Sequence, residues 1–309
     1  MTQGTGKSTA MPLRIAVFTK NKLNPGYEAA RVGAERVAKR LGASLTHYVP
    51  ERPDNVDEQI ALMKRAIRER PDAVLFVPVH ETAVNDAILE FDAADIPLFN
   101  IIARTTAGRR ICFVGSDDRA LGFNIARHLF QKMSGRGEIA IVEGTPASPT
   151  SRDRLAGFHD ALAQFPDIKV RVSLRGEYLR PVARRAYTEA ADHLHRIDAV
   201  LCANDHMALG VLDAFDALAV NEMPLIAGVN AVPDAIAAIE SGRMIATANF
   251  NTLAMSAIAT EAAVRFLDGE EIPSEIMLPV QIVDAENYAD WNRPFDVRPC
   301  PSWQDVVAG

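Results

Sequence analysis

Asp72-Ala-Val-Leu75 returns later in the chain as Asp198-Ala-Val-Leu201, and two further blocks follow each copy in the same order. The first copy is followed by Phe91-Asp-Ala93 and Pro97-Leu98, and the second by Phe215-Asp-Ala217 and Pro224-Leu225. Each copy reads as a short apolar run, a helix-length segment and a second apolar run, which predicts a βαβ unit. Two such units predict two similar α/β lobes with a ligand cleft between them.

The same alternation extends over most of the chain. Short apolar runs alternate with helix-length segments from residue 13 to residue 283, and 277–283 is predicted as the last strand. Strict strand–helix alternation predicts parallel sheets with right-handed crossovers. Because the apolar runs are nearly continuous, we expect both faces of each sheet to be covered. The sequence after residue 284 shows no periodicity.

Composition excludes several classes of protein. The chain has 309 residues, 48% of them hydrophobic, and a net charge of −7, which suits about two soluble domains. It has no Lys/Arg run typical of a nucleic-acid surface, and its apolar runs are shorter than the ~20 residues of a membrane helix. Three widely separated cysteines without a CxxC pair predict no metal site.

No motif predicts catalysis or a cofactor. Gly4-Thr-Gly-Lys-Ser-Thr9 resembles a phosphate-binding loop, but the first glycine of that motif would fall at Met1. The chain has no GxSxG and no HExxH. Residues 1–14 contain no apolar signal-peptide core, so the chain as written would stay in the cytoplasm unless a leader was removed or its start was misassigned.

Candidate binding residues follow the predicted strands, because ligands of parallel α/β sheets meet the carboxyl ends of strands. They combine amide, guanidinium, hydroxyl and aromatic groups, which suits a ligand rich in hydroxyls. Asn204, Asp205 and Asn24 could instead cap helices, and this role is expected for Asp205. For Asn204 and Arg154, ligand contact is favoured. Lys20, His80 and Glu81 are favoured for solvent-exposed or structural roles. The candidates are Asn24, Tyr27, Arg104, Thr150, Arg154, Tyr178, Asn204, Asn230 and Phe250.

Five ordered segments of the chain resemble the type I periplasmic sugar-binding proteins of the ribose-binding group. The fourth segment is the most specific, and together the five span roughly residues 13–283. They are Asn24-Pro-Gly-Tyr27, Gly115-Ser-Asp117, Ser151-Arg-Asp-Arg154, Asn204-Asp-His-Met-Ala-Leu-Gly210 and Gly228-Val-Asn230.

The resemblance implies two doubly wound parallel-sheet lobes joined by a three-segment hinge. The first lobe would hold 13–116 and 251–279, the second 117–250 and 280–293, with tails at 1–12 and 294–309. A monomeric periplasmic protein would capture a sugar or polyol and deliver it to an ABC transporter permease, without binding nucleic acid. Arg154, Asn204, Asn230 and Asn24 would bind hydroxyls, and Tyr27 and Tyr178 would supply ring faces.

The chain departs from the family pattern where specificity is set. Gly26 stands where an aromatic is common, Ile102-Ala103 replaces an Asp-Arg pair, Asn230 replaces an Asp, and Phe250 replaces a Gln. Asn100, Arg104, Asn249 or Asn251 could supply the lost polar contacts. These changes make a pentose, a polyol or another small polar ligand as plausible as a hexopyranose.

Two other functions stay open from the sequence. A regulator of the lactose-repressor kind shares the two-lobed effector domain, but it needs a helix-turn-helix of about 60 residues ahead of the first strand, which is not seen. An enzyme on this fold would need an acid–base pair assembled in space, because none is visible in sequence.

Overall fold

The computed structural model describes residues 11–22, 24–146, 148–191, 194, 197–218 and 222–307. Most of the predicted tail at 1–12 and the stretch resembling a phosphate-binding loop lie outside the described residues. The chain divides into two compact units. The first comprises Met1–Gly115, Thr252–Ile276 and Cys300–Gly309, and the second Ser116–Asn251 and Met277–Pro299.

Strands and helices alternate as predicted. The strands are β1 (Arg14–Phe18), β2 (Ser44–Tyr48), β3 (Ala73–Phe76), β4 (Leu98–Ile101), β5 (Arg110–Ser116), β6 (Arg136–Glu143), β7 (Asp167–Arg175), β8 (Ala199–Cys202), β9 (Leu225–Val229), β10 (Ala246–Asn249), β11 (Glu275–Leu278) and β12 (Gln281–Asp284). The helices are α1 (Pro25–Leu41), α2 (Val56–Glu69), α3 (Asn85–Ala93), α4 (Asp118–Lys132), α5 (Pro149–Leu162), α6 (Arg180–Ala190), α7 (Asp205–Leu218), α8 (Pro233–Glu240), α9 (Thr252–Leu267) and α10 (Trp303–Val307).

The two sheets have the same topology. The first runs β11-β5-β4-β3-β1-β2 and the second β12-β10-β9-β8-β6-β7. The strands β1 to β5 pair in parallel, and so do β6 to β10. The segments β3-α3-β4 and β8-α7-β9 occupy equivalent positions in the two sheets. The repeat seen in the sequence therefore reflects a topology that the two sheets share over all of their strands.

The last predicted strand is in fact two strands. Residues 277–283 were expected to form one strand, but β11 ends at Leu278 and β12 begins at Gln281, with Pro279 between them. Proline has no N–H to donate to a sheet, so it interrupts the run. The strand β11 joins the first sheet, whereas β12 pairs antiparallel with β10 in the second. An antiparallel edge strand is a common addition to an otherwise parallel sheet.

The C-terminal residues are divided between the two units, with Met277–Pro299 in the second and Cys300–Gly309 in the first. The chain passes between the units at 115/116, 251/252 and 276/277, as a three-segment hinge predicts, and again at 299/300. The fourth passage returns the chain to the first unit, where the Trp303 ring lies 5.1 Å from the Arg265 guanidinium. Within the described residues, no helix combines the length and apolarity needed to span a membrane.

Close helix packing in the second unit depends on small residues. A Cβ at Gly122 of α4 would lie 2.2 Å from the Arg154 carbonyl oxygen of α5, and one at Gly157 would lie 2.1 Å from the Arg119 carbonyl oxygen. Real Cβ atoms do not approach backbone so closely, so only glycine permits this contact. The pairing of α4 with α5 therefore fixes the position of the helix that carries Arg154.

Candidate ligand-binding site

Five predicted site residues follow the carboxyl ends of strands in the second sheet. Arg154 lies on α5 after β6, Tyr178 follows β7, Asn204 follows β8, Asn230 follows β9 and Phe250 follows β10. Parallel strands place their carboxyl ends at one edge of the sheet, so these residues share that edge. This is the edge at which open α/β sheets bind ligands.

Arg154 is the centre of this cluster. Its side chain is 3% exposed, and its Nε donates to Asp118 Oδ1 at 2.8 Å. Its Nη1 donates to the Ala203 carbonyl oxygen at 2.7 Å and to Asn230 Oδ1 at 3.3 Å, and the guanidinium lies 5.2 Å from the Phe250 ring centre. The structure thus brings Arg154, Asn230 and Phe250 together, as the sequence predicted, and adds Asp118 as the paired carboxylate.

Asn204 and Tyr178 adjoin each other. Asn204 Oδ1 accepts the Met207 N–H at 2.8 Å, and its Nδ2 donates to the Tyr178 carbonyl oxygen at 3.3 Å. Asn204 is therefore the N-cap of α7, and the expectation that Asp205 has this role is wrong. The Tyr178 hydroxyl is buried and has no partner of good hydrogen-bond geometry in the described part of the chain. Burial raises the pKa of Tyr178, and the Arg154 charge opposes that rise.

Asp205 instead anchors the loop that carries Asn230. It is fully buried, its Oδ1 accepts the Thr247 hydroxyl at 2.7 Å, and its Oδ2 accepts the Val232 N–H at 3.0 Å. Thr247 Oγ1 in turn accepts the Ala231 N–H at 3.2 Å. The loop needs this support because Asn230 and Ala231 have φ angles of 126° and 54°, which non-glycine residues rarely adopt.

Asp205 and Thr247 were missed as site residues by sequence reasoning. Asp205 was read as a cap because it opens a helix, and Thr247 lies inside a buried strand. Their function depends on hydrogen bonds between elements that are distant in sequence. Burial raises the pKa of Asp205 to about 6, while the bonds from Thr247 and Val232 act in the opposite direction.

The first unit carries a second group of candidates at the end of β1. Asn24 Oδ1 accepts the Gly26 N–H at 2.8 Å, so this residue caps α1. Tyr27 is partly buried, and burial followed by the nearby Asp54 carboxylate raises its pKa. Lys20 also follows β1, and burial lowers the pKa of its ammonium more than Asp54 raises it.

The remaining predicted residues are placed less favourably for ligand contact. Both Nη atoms of Arg104 donate to the Glu275 carboxylate, at 3.3 and 2.5 Å, and its guanidinium stacks 3.8 Å from the Phe113 ring centre. Asn100 is buried, and its amide is engaged by Phe76 and Thr105. Thr150 is partly exposed in the first turn of α5. A ligand role for Arg104 and Thr150 stays a prediction.

A family model described as the periplasmic binding protein domain matches residues 15–271. The chain belongs to the periplasmic binding protein family. The resemblance stated from the sequence is therefore confirmed.

Curated relatives of this periplasmic binding protein are similar over nearly their whole length. It is 25% identical over 278 residues to the ribose import binding protein of Bacillus subtilis (strain 168), covering 90% of this chain and 88% of that one. It is 25% identical over 279 residues to the D-allose-binding periplasmic protein of Escherichia coli (strain K12), covering 87% and 90%. These names favour the transport hypothesis over a transcription regulator.

A solved structure gives the same result. An ABC transporter periplasmic solute binding protein from Actinobacillus succinogenes 130z, solved with bound D-allose, matches with a TM-score of 0.84 and 27% identity. The match covers 90% of this chain and 99% of that one. The family consists of binding proteins rather than enzymes. Among the described residues, no group of three or more His, Cys, Asp or Glu side chains is placed to hold a metal ion.

Proposed function

We propose that this protein is the solute-binding component of an ABC importer and binds a small carbohydrate or polyol. The observation that carries the proposal is Arg154, a nearly fully buried cation with Nε and Nη1 fixed by the protein. Its Nη2 makes no hydrogen bond to any described residue. A buried guanidinium with unused donors is costly unless a ligand accepts them.

The neighbours of Arg154 suit a polyhydroxylated ligand. Asn230 and Asn204 add amide groups, and Phe250 adds a partly buried ring against which sugar C–H groups could stack. The names of the relatives support the same ligand class. Closure of two lobes on the ligand, common in such proteins, would produce the signal that a permease recognises.

The transport function also implies a location and an oligomeric state. We propose that the mature protein acts outside the cytoplasmic membrane as a monomer, since its relatives are named as import and periplasmic binding proteins. Fractionation of cells that express the gene with its native upstream sequence tests the location. Light scattering after size exclusion tests the monomer, and a stable dimer would contradict it.

A thermal-shift screen of pentoses, hexoses and polyols, followed by calorimetry, tests the binding function. A ligand at 100 times its Kd stabilises the folded state by about 2.7 kcal/mol, which is several degrees in Tm. The change Arg154→Met should abolish the shift. Because Asp118 would then lack its partner, Arg154→Lys serves as a second variant that keeps the charge but not the paired donors.

Arg152→Met is the matched control, because Arg152 lies two residues earlier on α5 and is exposed. It should leave the ligand-induced shift unchanged. The proposal is contradicted if no carbohydrate or polyol, neutral or charged, binds the folded protein, or if Arg154→Lys binds as tightly as the wild type.

A further inference from the structure

The loop after β9 holds two consecutive residues in a strained backbone conformation. Asn230 and Ala231 both have positive φ angles, which are unfavourable for residues that carry a Cβ atom. Such a conformation persists only where the surrounding contacts determine it. The first of the two strained residues is Asn230, whose side chain accepts a hydrogen bond from Arg154. The contacts that hold this loop therefore determine where the Asn230 side chain lies.

Three consecutive backbone N–H groups of the loop are each bonded to a different acceptor. The N–H of Asn230 donates to a backbone carbonyl oxygen of β10 at 2.8 Å. The Ala231 N–H donates to Thr247 Oγ1 at 3.2 Å, and the Val232 N–H donates to Asp205 Oδ2 at 3.0 Å. The first acceptor belongs to the backbone, whereas the other two are side-chain groups that a substitution can remove.

Thr247 joins the two side-chain acceptors into one support. Its hydroxyl accepts from the Ala231 N–H and donates to Asp205 Oδ1 at 2.7 Å, so the same group is bonded on both sides. The side chains of Thr247 and Asp205 have no exposed surface. Bulk water is therefore not at hand to replace either bond, and the loop depends on this one hydroxyl.

The Asp205 carboxylate reaches Thr247 because Gly228 leaves room for it. Gly228 lies opposite Thr247 in the pairing of β9 with β10. A Cβ atom at this glycine would lie 2.3 Å from Asp205 Oδ1, a distance that real Cβ atoms do not show. A side chain here would displace the carboxylate. The segment Gly228-Val-Asn230 thus contains both the opening for the support and the residue that the support positions.

We propose that Thr247 is a positioning residue for ligand binding, whose hydroxyl holds the strained loop so that Asn230 can meet both Arg154 and the ligand. This inference rests on the proposed function, in which Asn230 binds ligand, and it deepens the account of that site. Thr247 is fully buried and acts on the ligand through Asn230. Without its hydroxyl, the strained residues relax to negative φ angles and the Asn230 side chain turns away from Arg154.

Calorimetry on the whole protein tests the proposal. The probe is the tightest binder among D-ribose, D-allose, L-arabinose, xylitol and myo-inositol. Thr247→Val keeps the shape of the side chain but removes its donor and acceptor, and it should weaken binding about tenfold. Thr247→Ser restores the hydroxyl, so its affinity should return to within about threefold of the wild type. If Thr247→Val does not fold, Thr247→Cys replaces it, since a thiol donates and accepts only weakly.

A double-mutant cycle shows whether Thr247 acts through Asn230. In the Asn230→Ala background, Thr247→Val should change affinity by less than about twofold, because the side chain that it positions is already absent. A purely structural role for Thr247 predicts the same loss of affinity in both backgrounds.

Thr260→Val is the matched control. Thr260 is a fully buried threonine of the first unit, and its hydroxyl donates to the Ser256 carbonyl oxygen at 2.7 Å. Its replacement also removes a buried hydroxyl bond but should leave affinity unchanged. Amide hydrogen exchange adds a measurement without ligand. Exchange at the Ala231 N–H should be about tenfold faster in Thr247→Val than in Thr260→Val.

The outcomes separate this inference from the proposed function. Equal loss of affinity in both backgrounds, or wild-type affinity in Thr247→Val or in Asn230→Ala, would overturn the inference and leave the binding function standing. Unchanged exchange at Ala231 in Thr247→Val would do the same. Absence of binding by all five probes and by the wider screen would overturn both. A loss that disappears in the Asn230→Ala background and is rescued by Thr247→Ser supports both.

Discussion

Asp205 is a buried acid whose protonation affects the second unit. Its folded-state pKa is about 6 against an ordinary value of 3.8, because burial opposes its ionised form. A raised pKa means that the folded state binds the proton more tightly than the unfolded state does. The corresponding stability is fully present below pH 3.8 and is lost as the pH rises through 6, by roughly 2–3 kcal/mol.

We therefore expect Asp205→Asn to remove one component of the pH dependence of folding. Urea unfolding at pH 4 to 7 should show the wild type losing stability relative to the variant as the pH rises from about 4 to 6. The comparison cancels the other titrating groups. A difference between the two proteins that stays constant over this range would show that Asp205 does not titrate there.

Sequence reasoning proposed candidate ligand-binding residues but not the residues that hold those candidates in place. Arg154, Asn204 and Asn230 were found because polar residues directly after apolar strands stand out. Asp118 opens α4 in the way many capping acids do, so its pairing with Arg154 depends on the contact between α4 and α5. The orientation of each amide also needed the structure, because it is set by the donor or acceptor it faces.

At the scale of elements, the approach of α4 to α5 determines where Arg154 lies. Gly122 sits against the Arg154 carbonyl group, with room for hydrogen but not for a methyl group. A bulkier residue there must separate the two helices. Since Arg154 binds both Asp118 of α4 and the Ala203 carbonyl after β8, a shift of α5 cannot preserve both contacts.

We expect Gly122→Ala to reduce stability by about 1–3 kcal/mol through overpacking and also to weaken ligand binding. Gly242→Ala is a suitable control, because Gly242 has a left-handed φ of 73° and no atom within 4 Å of its Cβ position. It should reduce stability through backbone strain without moving α5. Chemical unfolding and calorimetry separate the effects, and equal ligand affinity in the two variants would contradict the account.

Helices and strands could be predicted from the sequence wherever neighbouring residues determine where they begin and end. Alternating apolar runs and helix-length segments predicted the order of strands and helices, and Gly42 ends α1 with a left-handed φ of 72°. Pro279 was a local signal that residues 277–283 form two strands instead of one. The antiparallel pairing of β12 with β10 had none, because sheet partners of an edge strand depend on the path of the chain.

At the scale of the whole molecule, each unit takes its final pieces from the end of the chain. The first sheet needs β11 and the helix α9, and the second sheet needs β12. Arg298 also reaches back to the Ala231 carbonyl oxygen at 3.5 Å, beside the loop that carries Asn230. A sheet that lacks its edge strand exposes unpaired backbone groups and apolar surface.

We expect a fragment that ends at residue 250 to be cut readily in pulse proteolysis, because it lacks α9 and both late strands. A fragment that ends at residue 299 contains both strands and lacks only α10 and its neighbours, so it should resist cleavage. Equal resistance of the two fragments would show that the late segments are dispensable for folding.

The strands β11 and β12 are among the last parts of the chain to be synthesised, and this has a consequence for folding during synthesis. Domains usually fold as they leave the ribosome, and the N-terminal domain folds first. Here the first sheet is complete only once Leu278 has been made, and the second only once Asp284 has been made, so neither sheet can be completed until late in synthesis. A chain that is exported, as the location proposed above requires, benefits from that delay, because a fold that is completed late leaves the chain competent for translocation.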